Sequence, residues 1–340
     1  MTRRTMTPPT VSAPRRATPI AAALAVTLAA VAPAAKAEDT PLNVLATVGM
    51  IADVAQGVAG DCARVTTLMG AGTDPHRHSA TPRDVAALAA AELILYVDRT
   101  LEERLADVLA GFADRTPTIG LAAAAFDRAG LLDDPDEPAA LDPHLWMDVS
   151  RWVRIAPVIA DAIAAQRPAC AASMAANAEA LNAQMAALHD WVGAAIASIP
   201  EGNRILVTAH DAFYYYADAY GIEASEAIEG ISTESEASIG DIRAVAGFVI
   251  ENNVPAVFVE TTINPRTIEA LVAEIRARGH EVVIGGELFS DAMGDAGTAE
   301  GTYIGMIRAN TITITQALGG TLPDWPEALQ GWAQEWEPED

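Results

Sequence analysis

From Pro168 to Ile199 the chain carries a helical pattern with few strong caps inside it, and this run restricts the fold more than any other feature. Its roughly 32 residues, at ~1.5 Å each, make a helix of ~48 Å. A helix of that length reads as a spine between two lobes rather than as part of either. On both sides of it, short apolar runs alternate with amphipathic ones. Val44–Val48, Arg64–Leu68 and Leu93–Val97 are strand-like, interleaved with helical Ile51–Val58, Thr81–Ala91 and Leu101–Phe112. Thr81 suits an N-cap, Pro82 the first helical position and Asp84 the positive end of the helix. A further helix is expected over Val149–Gln166. After the spine, strands at Ile205–Thr208, Val254–Val259 and Glu281–Ile284 alternate with helices at Ala212–Tyr220, Ile239–Asn252, Pro265–Arg278 and Gly301–Leu318. Strands alternating with helices argue for parallel β-α-β units. The expected class is α/β: two lobes, each a parallel β-sheet flanked by helices, joined by one long backbone helix.

The N-terminus reads as an export signal. Arg3, Arg4, Arg15 and Arg16 precede an apolar run from Ile20 to Ala34, and Ala35-Lys36-Ala37 supplies a small-x-small cleavage pattern. The organisation expected is therefore a cleaved signal over 1–37, a first lobe over 38–167, the linking helix over 168–200 and a second lobe over 201–340. No cysteine follows the apolar run, so a soluble periplasmic protein without a lipid anchor is expected. Loss of residues 1–37 removes five of the 21 basic residues and no acid, which moves the net charge from −25 to −30. So acidic a surface repels nucleic acid and anionic lipid. The two cysteines, Cys62 and Cys170, sit outside any C-x-x-C motif, and in an oxidising compartment they are candidates for a structural disulfide. Residues 126–141 form an acidic, proline-containing loop, and Leu322–Asp340, rich in Trp and acid, is expected to pack loosely.

Chemistry concentrates at three histidines and one aspartate. His76 and His144 each close an Asp-Pro-His triplet (Asp74-Pro75-His76 and Asp142-Pro143-His144) ahead of a helix. His210 closes the strand Ile205–Thr208 and opens the next helix, and Asp291 follows a strand-like run and precedes Gly294 and Gly297. Open α/β sheets bind ligands in the crevice at the C-terminal ends of their strands. Three imidazoles and a carboxylate complete a tetrahedral set for a borderline-soft divalent ion. His78, two residues from His76, is expected to line the pocket rather than ligate. Glu260, at a strand end, and Asp142 and Asp74, beside their histidines, are placed to orient imidazoles. His189 and His280 read as surface residues.

With these residues in order, the chain resembles the zinc/manganese solute-binding receptors of bacterial ABC importers. The likeness covers almost everything from Leu42 to Leu318. It rests on Asp74-Pro75-His76 with Thr81-Pro82-Arg83-Asp84-Val85, on Asp142-Pro143-His144-Leu145-Trp146, and on Thr208-Ala209-His210-Asp211-Ala212-Phe213. Gly230-Ile231-Ser232-Thr233-Glu234, Ser290-Asp291-Ala292-Met293-Gly294 and Gly301-Thr302-Tyr303-Ile304-Gly305-Met306 complete it. The resemblance implies ligands at His76, His144, His210 and Asp291, one transported ion per chain, a membrane permease as partner and no enzymatic activity. Zinc receptors of this kind often carry a His-rich loop before the second triplet. Here 126–141 has carboxylates but no histidine, which implies an accessory metallochaperone. Imidazole at 210, where manganese-preferring members tend to have Glu, favours Zn²⁺ over Mn²⁺. A monomer is expected. The alternatives are a manganese receptor, a stand-alone zinc buffer and a secreted zinc hydrolase, the last of which needs an open coordination position and a base such as Glu260.

Overall fold

The computed structural model describes residues 40–98, 101–135, 140–222, 224–231, 233 and 237–336, with Met6 and Thr10. Apart from those two, the expected signal over 1–37 lies outside the described residues, as do 136–139 of the acidic loop. Among the described residues, no helix is long and apolar enough to cross a membrane.

The first half is built from β1 (Leu42–Ala46), α1 (Gly49–Ala59), β2 (Ala63–Thr67), α2 (Pro82–Ala90), β3 (Leu93–Tyr96), α3 (Ala106–Ala113) and β4 (Thr118–Gly120). The four strands make one parallel sheet in the order β2-β1-β3-β4. Its two central strands are buried along Leu42, Val44 and Leu45 and along Leu93, Ile94 and Leu95, as a sheet covered on both faces requires. At the start of α2 the Thr81 hydroxyl accepts from the Asp84 N–H and the Asp84 carboxylate accepts from the Thr81 N–H, a reciprocal cap.

Helices α4 (Leu121–Ala125), α5 (Val149–Trp152) and α6 (Ile155–Gln166) lead to the long helix α7 (Ala171–Ala197). The continuous helix expected over 149–166 is broken at Val153–Arg154. Pro157 has no N–H to give to the Val153 carbonyl, and its ring crowds that oxygen. The spine is shorter than its sequence pattern, at 27 residues, because Pro168–Cys170 forms a separate 3₁₀ turn. Near its start the Asn177 amide donates to the Val58 carbonyl of α1. Near its end the Trp191 indole donates to Pro323, and Ser198 bonds Thr321. It therefore touches both halves of the chain.

The second half comprises β5 (Ile205–Thr208), α8 (Tyr214–Tyr220), β6 (Ala224–Ala227), α9 (Ile239–Glu251), β7 (Ala256–Glu260), α10 (Arg266–Ala277), β8 (Val283–Leu288), α11 (Tyr303–Ala317) and α12 (Gln330–Trp336). β5 pairs in parallel with β6, and β7 with β8. The periodicity misses the short strands β4 and β6 and ends β8 too early, at Ile284. Gly285 and Gly286 lie inside the strand, where the pairing shifts by one residue. A Cβ on Gly285 would lie 2.7 Å from Ala317 of α11 and 2.8 Å from Phe258, so the position requires glycine for close packing.

The C-terminal stretch also departs from expectation. Leu329 and Trp332 are buried, and the Trp332 indole donates to the Thr302 hydroxyl at the N-cap of α11 (3.0 Å). Its tryptophans anchor the tail through area and a hydrogen bond together. One apolar cluster runs from the first sheet through α7 into α11 and this tail. A second, smaller one lies between β5, β7, α9 and α10.

Cys62 and Cys170 are joined in a disulfide with Cα atoms 6.2 Å apart, tying the end of α1 to the start of α7 across a separation of 108 residues. Closing so long a loop restricts the unfolded chain by an amount typically worth about 2–4 kcal/mol. The Cys62→Ser, Cys170→Ser double variant is expected to melt roughly 4–10 °C below the wild type in a calorimetric scan. An unchanged midpoint would mean that the bond contributes nothing to stability.

Candidate metal centre

Each candidate histidine is set by a short polar device at the end of a strand or loop. The Asp74 carboxylate turns back over Pro75 to accept the His76 N–H (2.9 Å), an Asx-turn. Asp142 repeats this over Pro143 with the His144 N–H (2.8 Å), and the same oxygen takes the ring Nδ1 at 2.7 Å. Asp74 makes no such ring contact; its other oxygen accepts the Thr233 hydroxyl at 2.7 Å. His210, two residues beyond β5, is gripped by Glu260 at the end of β7. One Glu260 oxygen accepts the N–H groups of Ala209 (3.0 Å) and His210 (2.8 Å), and the other lies 3.1 Å from the His210 Nδ1. Asp291 stands three residues past β8.

These devices bring His76, His144, His210 and Asp291 together, each 0–1% exposed, with one donor atom apiece within 4.8 Å of all the others. The Nε2 atoms of His76 and His144 are 3.3 Å apart, and His144 Nε2 is 3.3 Å from Asp291 Oδ1. The other Asp291 oxygen lies 3.7 Å from His76 Nε2 and 3.8 Å from His210 Nε2. Bonds of about 2.0–2.1 Å in a tetrahedron separate donor atoms by roughly 3.3 Å. The cluster is thus already near the size such an ion needs. The Asp291 carboxylate is surrounded by imidazole nitrogens and, among the described residues, receives no backbone or hydroxyl donor.

The electrostatics are those of a coupled cluster. Burial pushes the Asp291 carboxyl upward, but the His210, His144 and His76 rings outweigh it and hold Asp291 below the ordinary carboxylate range. Burial opposes charge on His144 too, yet Asp142 and then Asp291 raise it to about 9. For His210 burial is again overcome, by the Asp291 charge and the Glu260 hydrogen bond, and it rises to about 10.

Other candidates lie elsewhere. His78 Nε2 pairs with Asp84 at 3.0 Å, so it buttresses the cap of α2 instead of facing the four donors. It does line a cavity of about 750 Å³ together with Asp74, Arg77 and Thr233. His189 is half-buried, its Nδ1 3.2 Å from the Tyr220 hydroxyl. Two features were missed in the sequence. Asp211, next to His210, is buried and raised to about 7 by that burial; its place in the Thr208–Asp211 run was the available signal. The Ile231 carbonyl lies 3.1 Å from His210 Nε2, and nothing local marks a backbone oxygen 21 residues away.

A family described as "Zinc-uptake complex component A periplasmic" matches residues 44–317. The chain is a solute-binding protein of the metal ABC importers. It is 40% identical over 286 residues to the zinc-binding protein TroA of Treponema pallidum, covering 84% of this chain and 91% of that one. With the manganese-binding lipoprotein MntA of Bacillus subtilis it shares 36% over 285 residues, covering 84% and 92%. The solved structure of the Treponema periplasmic protein superposes with a TM-score of 0.79 at 38% identity, over 82% of this chain and 99% of that one. Fe(III)-bound YtgA from Chlamydia trachomatis gives 0.74 at 27%, over 83% and 100%. As a member of this family the protein is an extracellular or periplasmic metal-binding receptor that works with an ABC importer. Its α/β architecture and long helix match those of its relatives.

Proposed function

We propose that this receptor captures one Zn²⁺ through His76, His144, His210 and Asp291 and delivers it to the permease of its importer. The observation that carries this reading is the cluster itself: three imidazole nitrogens and one carboxylate, fully buried, with a donor atom from each within 4.8 Å of all the others. A nitrogen-rich set suits zinc, whereas manganese favours carboxylate and carbonyl oxygen. Manganese is the second reading, favoured by the likeness to MntA. A hydrolase is disfavoured, because four protein donors close the coordination shell and leave no place for a reactive water. The protein is proposed to be monomeric and periplasmic and, with no cysteine between residue 37 and Cys62, itself disulfide-bonded, free of lipid. A metallochaperone would load it, in place of a histidine loop at 126–141. A first lobe at 38–167 and a second at 201–340, with 168–200 between them, would each give two ligands.

His210 makes capture an exchange. Its Nδ1–H points at Glu260, so its Nε2 can donate to the Ile231 carbonyl only while the ring is doubly protonated. Zinc needs the Nε2 lone pair, displaces that proton and leaves the carbonyl without its donor. Release then depends on a local change. The continuous apolar cluster across both halves resists large lobe rotation, whereas Asp291 opens a loop containing Gly294 and Gly297.

Titrating metal-free protein with Zn²⁺ in competition with Mn²⁺ tests the proposal. The expected result is one equivalent of zinc, held at least ~100-fold tighter than manganese, and no stoichiometric binding with His76, His144 and His210 all changed to Ala. Preference for manganese would overturn the choice of ion. Unaltered binding by the triple variant would overturn the site.

A further inference from the structure

We propose that Trp146 is a positioning residue that keeps the metal donors of the two halves in register, acting on Asp291 through its indole N–H. This rests on reading the four-donor cluster as the metal site. Trp146 follows His144 by two residues, is fully buried, and stands edge-on to the His144 ring with centroids 5.2 Å apart. Its Nε1–H crosses to the second half and donates to the carbonyl of Ser290, the residue before Asp291, at 2.9 Å. The Trp146 carbonyl in turn accepts the Tyr303 hydroxyl (2.7 Å), and the Tyr303 N–H at the start of α11 donates to Asp53 of α1 (3.0 Å). His144 and Asp291 are thereby joined by one short, buried, hydrogen-bonded bracket.

The bracket matters because, among the described residues, no other first-half side chain hydrogen-bonds the backbone leading to Asp291. The Asn310 amide holds Phe289 at both its N–H (2.8 Å) and its carbonyl (2.7 Å), and Thr262 holds the Ser290 hydroxyl (3.0 Å); all of these belong to the second half. Among the described residues, Trp146 is the one first-half side chain that hydrogen-bonds the backbone of 288–292. The Asp291 carboxylate has no donor of its own besides the imidazoles. Its place relative to His144 therefore depends on where its backbone is held. A chain free to drift by a fraction of an ångström at Ser290 moves the single oxygen ligand off the tetrahedral corner. The indole N–H supplies the constraint and the ring supplies the wall against His144.

Trp146→Phe keeps an aromatic wall and deletes the donor. Zinc affinity is expected to fall by about 10-fold, the size seen when the partner of a metal ligand is lost, through a faster off-rate with the on-rate preserved. In the cobalt-loaded protein the visible bands should weaken as Asp291 loosens and water enters. A merely structural role would lower the melting temperature of the metal-free protein but leave the cobalt spectrum and the off-rate alone. Those two outcomes in a folded variant would overturn the proposal. Should Trp146→Phe not fold, Tyr303→Phe releases the bracket at its other end and should raise the off-rate in the same direction. An off-rate equal to wild type in that variant counts against the bracket. Wild-type protein that takes up no metal would instead remove the reading of the site.

Discussion

Asp291→Asn is expected to weaken zinc binding by about 10²–10³-fold while leaving the metal-free protein folded. Four-ligand zinc sites are worth roughly 10–16 kcal/mol in total, or about 2.5–4 kcal/mol per ligand, and each 1.4 kcal/mol is tenfold in affinity. Asparagine fills the same space but offers a neutral, weaker oxygen. The loss has a partial offset. Asp291 is the foremost charge holding the His210 proton and also helps to hold that of His144. Without it both rings release their protons more readily, and zinc competes against fewer of them. The deficit should therefore be smaller near neutral pH than at pH above about 10, where wild-type rings are already neutral. Chelator-competition titrations of both proteins at two pH values measure this. Equal affinity for variant and wild type at alkaline pH would exclude Asp291 as a ligand.

The four residues that converge were legible because each is marked locally. Two Asp-Pro-His triplets, a histidine closing a strand and an aspartate before Gly294 all sit at ends of elements, where an α/β sheet exposes side chains to a crevice. What each donor is held by was not legible. Asp74 and Asp142 occupy identical triplets, yet Asp142 reaches its imidazole ring while Asp74 is drawn to Thr233, 159 residues away. Glu260 could be suspected only as a carboxylate at a strand end, since its grip on His210 spans 50 residues. The errors in the fold share this origin. The strand expected over Glu281–Ile284 stops short of Gly285 and Gly286 because the close approach of α11 is invisible locally, and the tail read as loose because Trp332 finds its partner at Thr302. Only the break between α5 and α6 was written in place, at Pro157.

Zinc binding near pH 7 should release about two protons, one each from His144 and His210. Both groups have metal-free pKa values raised above the ordinary 6.5, to about 9 and about 10, so both rings are charged at neutral pH. Each must surrender one proton to present Nε2 to the ion. Below about pH 9 the apparent affinity should rise by roughly two decades per pH unit, between about 9 and 10 by one, and above that not at all. Asp291, held low, stays ionised and adds nothing across this range. The same shifts fix the sign for stability. Raised imidazole pKa values stabilise the metal-free fold fully below the ordinary 6.5, and that contribution is lost as pH climbs through 9 and 10. Metal-free protein should thus lose stability on the alkaline side, while the zinc form, whose rings are already deprotonated, should not. Calorimetric titrations in buffers of different ionisation enthalpy count the protons directly. A count below one would mean that the rings are neutral before zinc arrives, and that His210 donates nothing to Ile231 in the metal-free state.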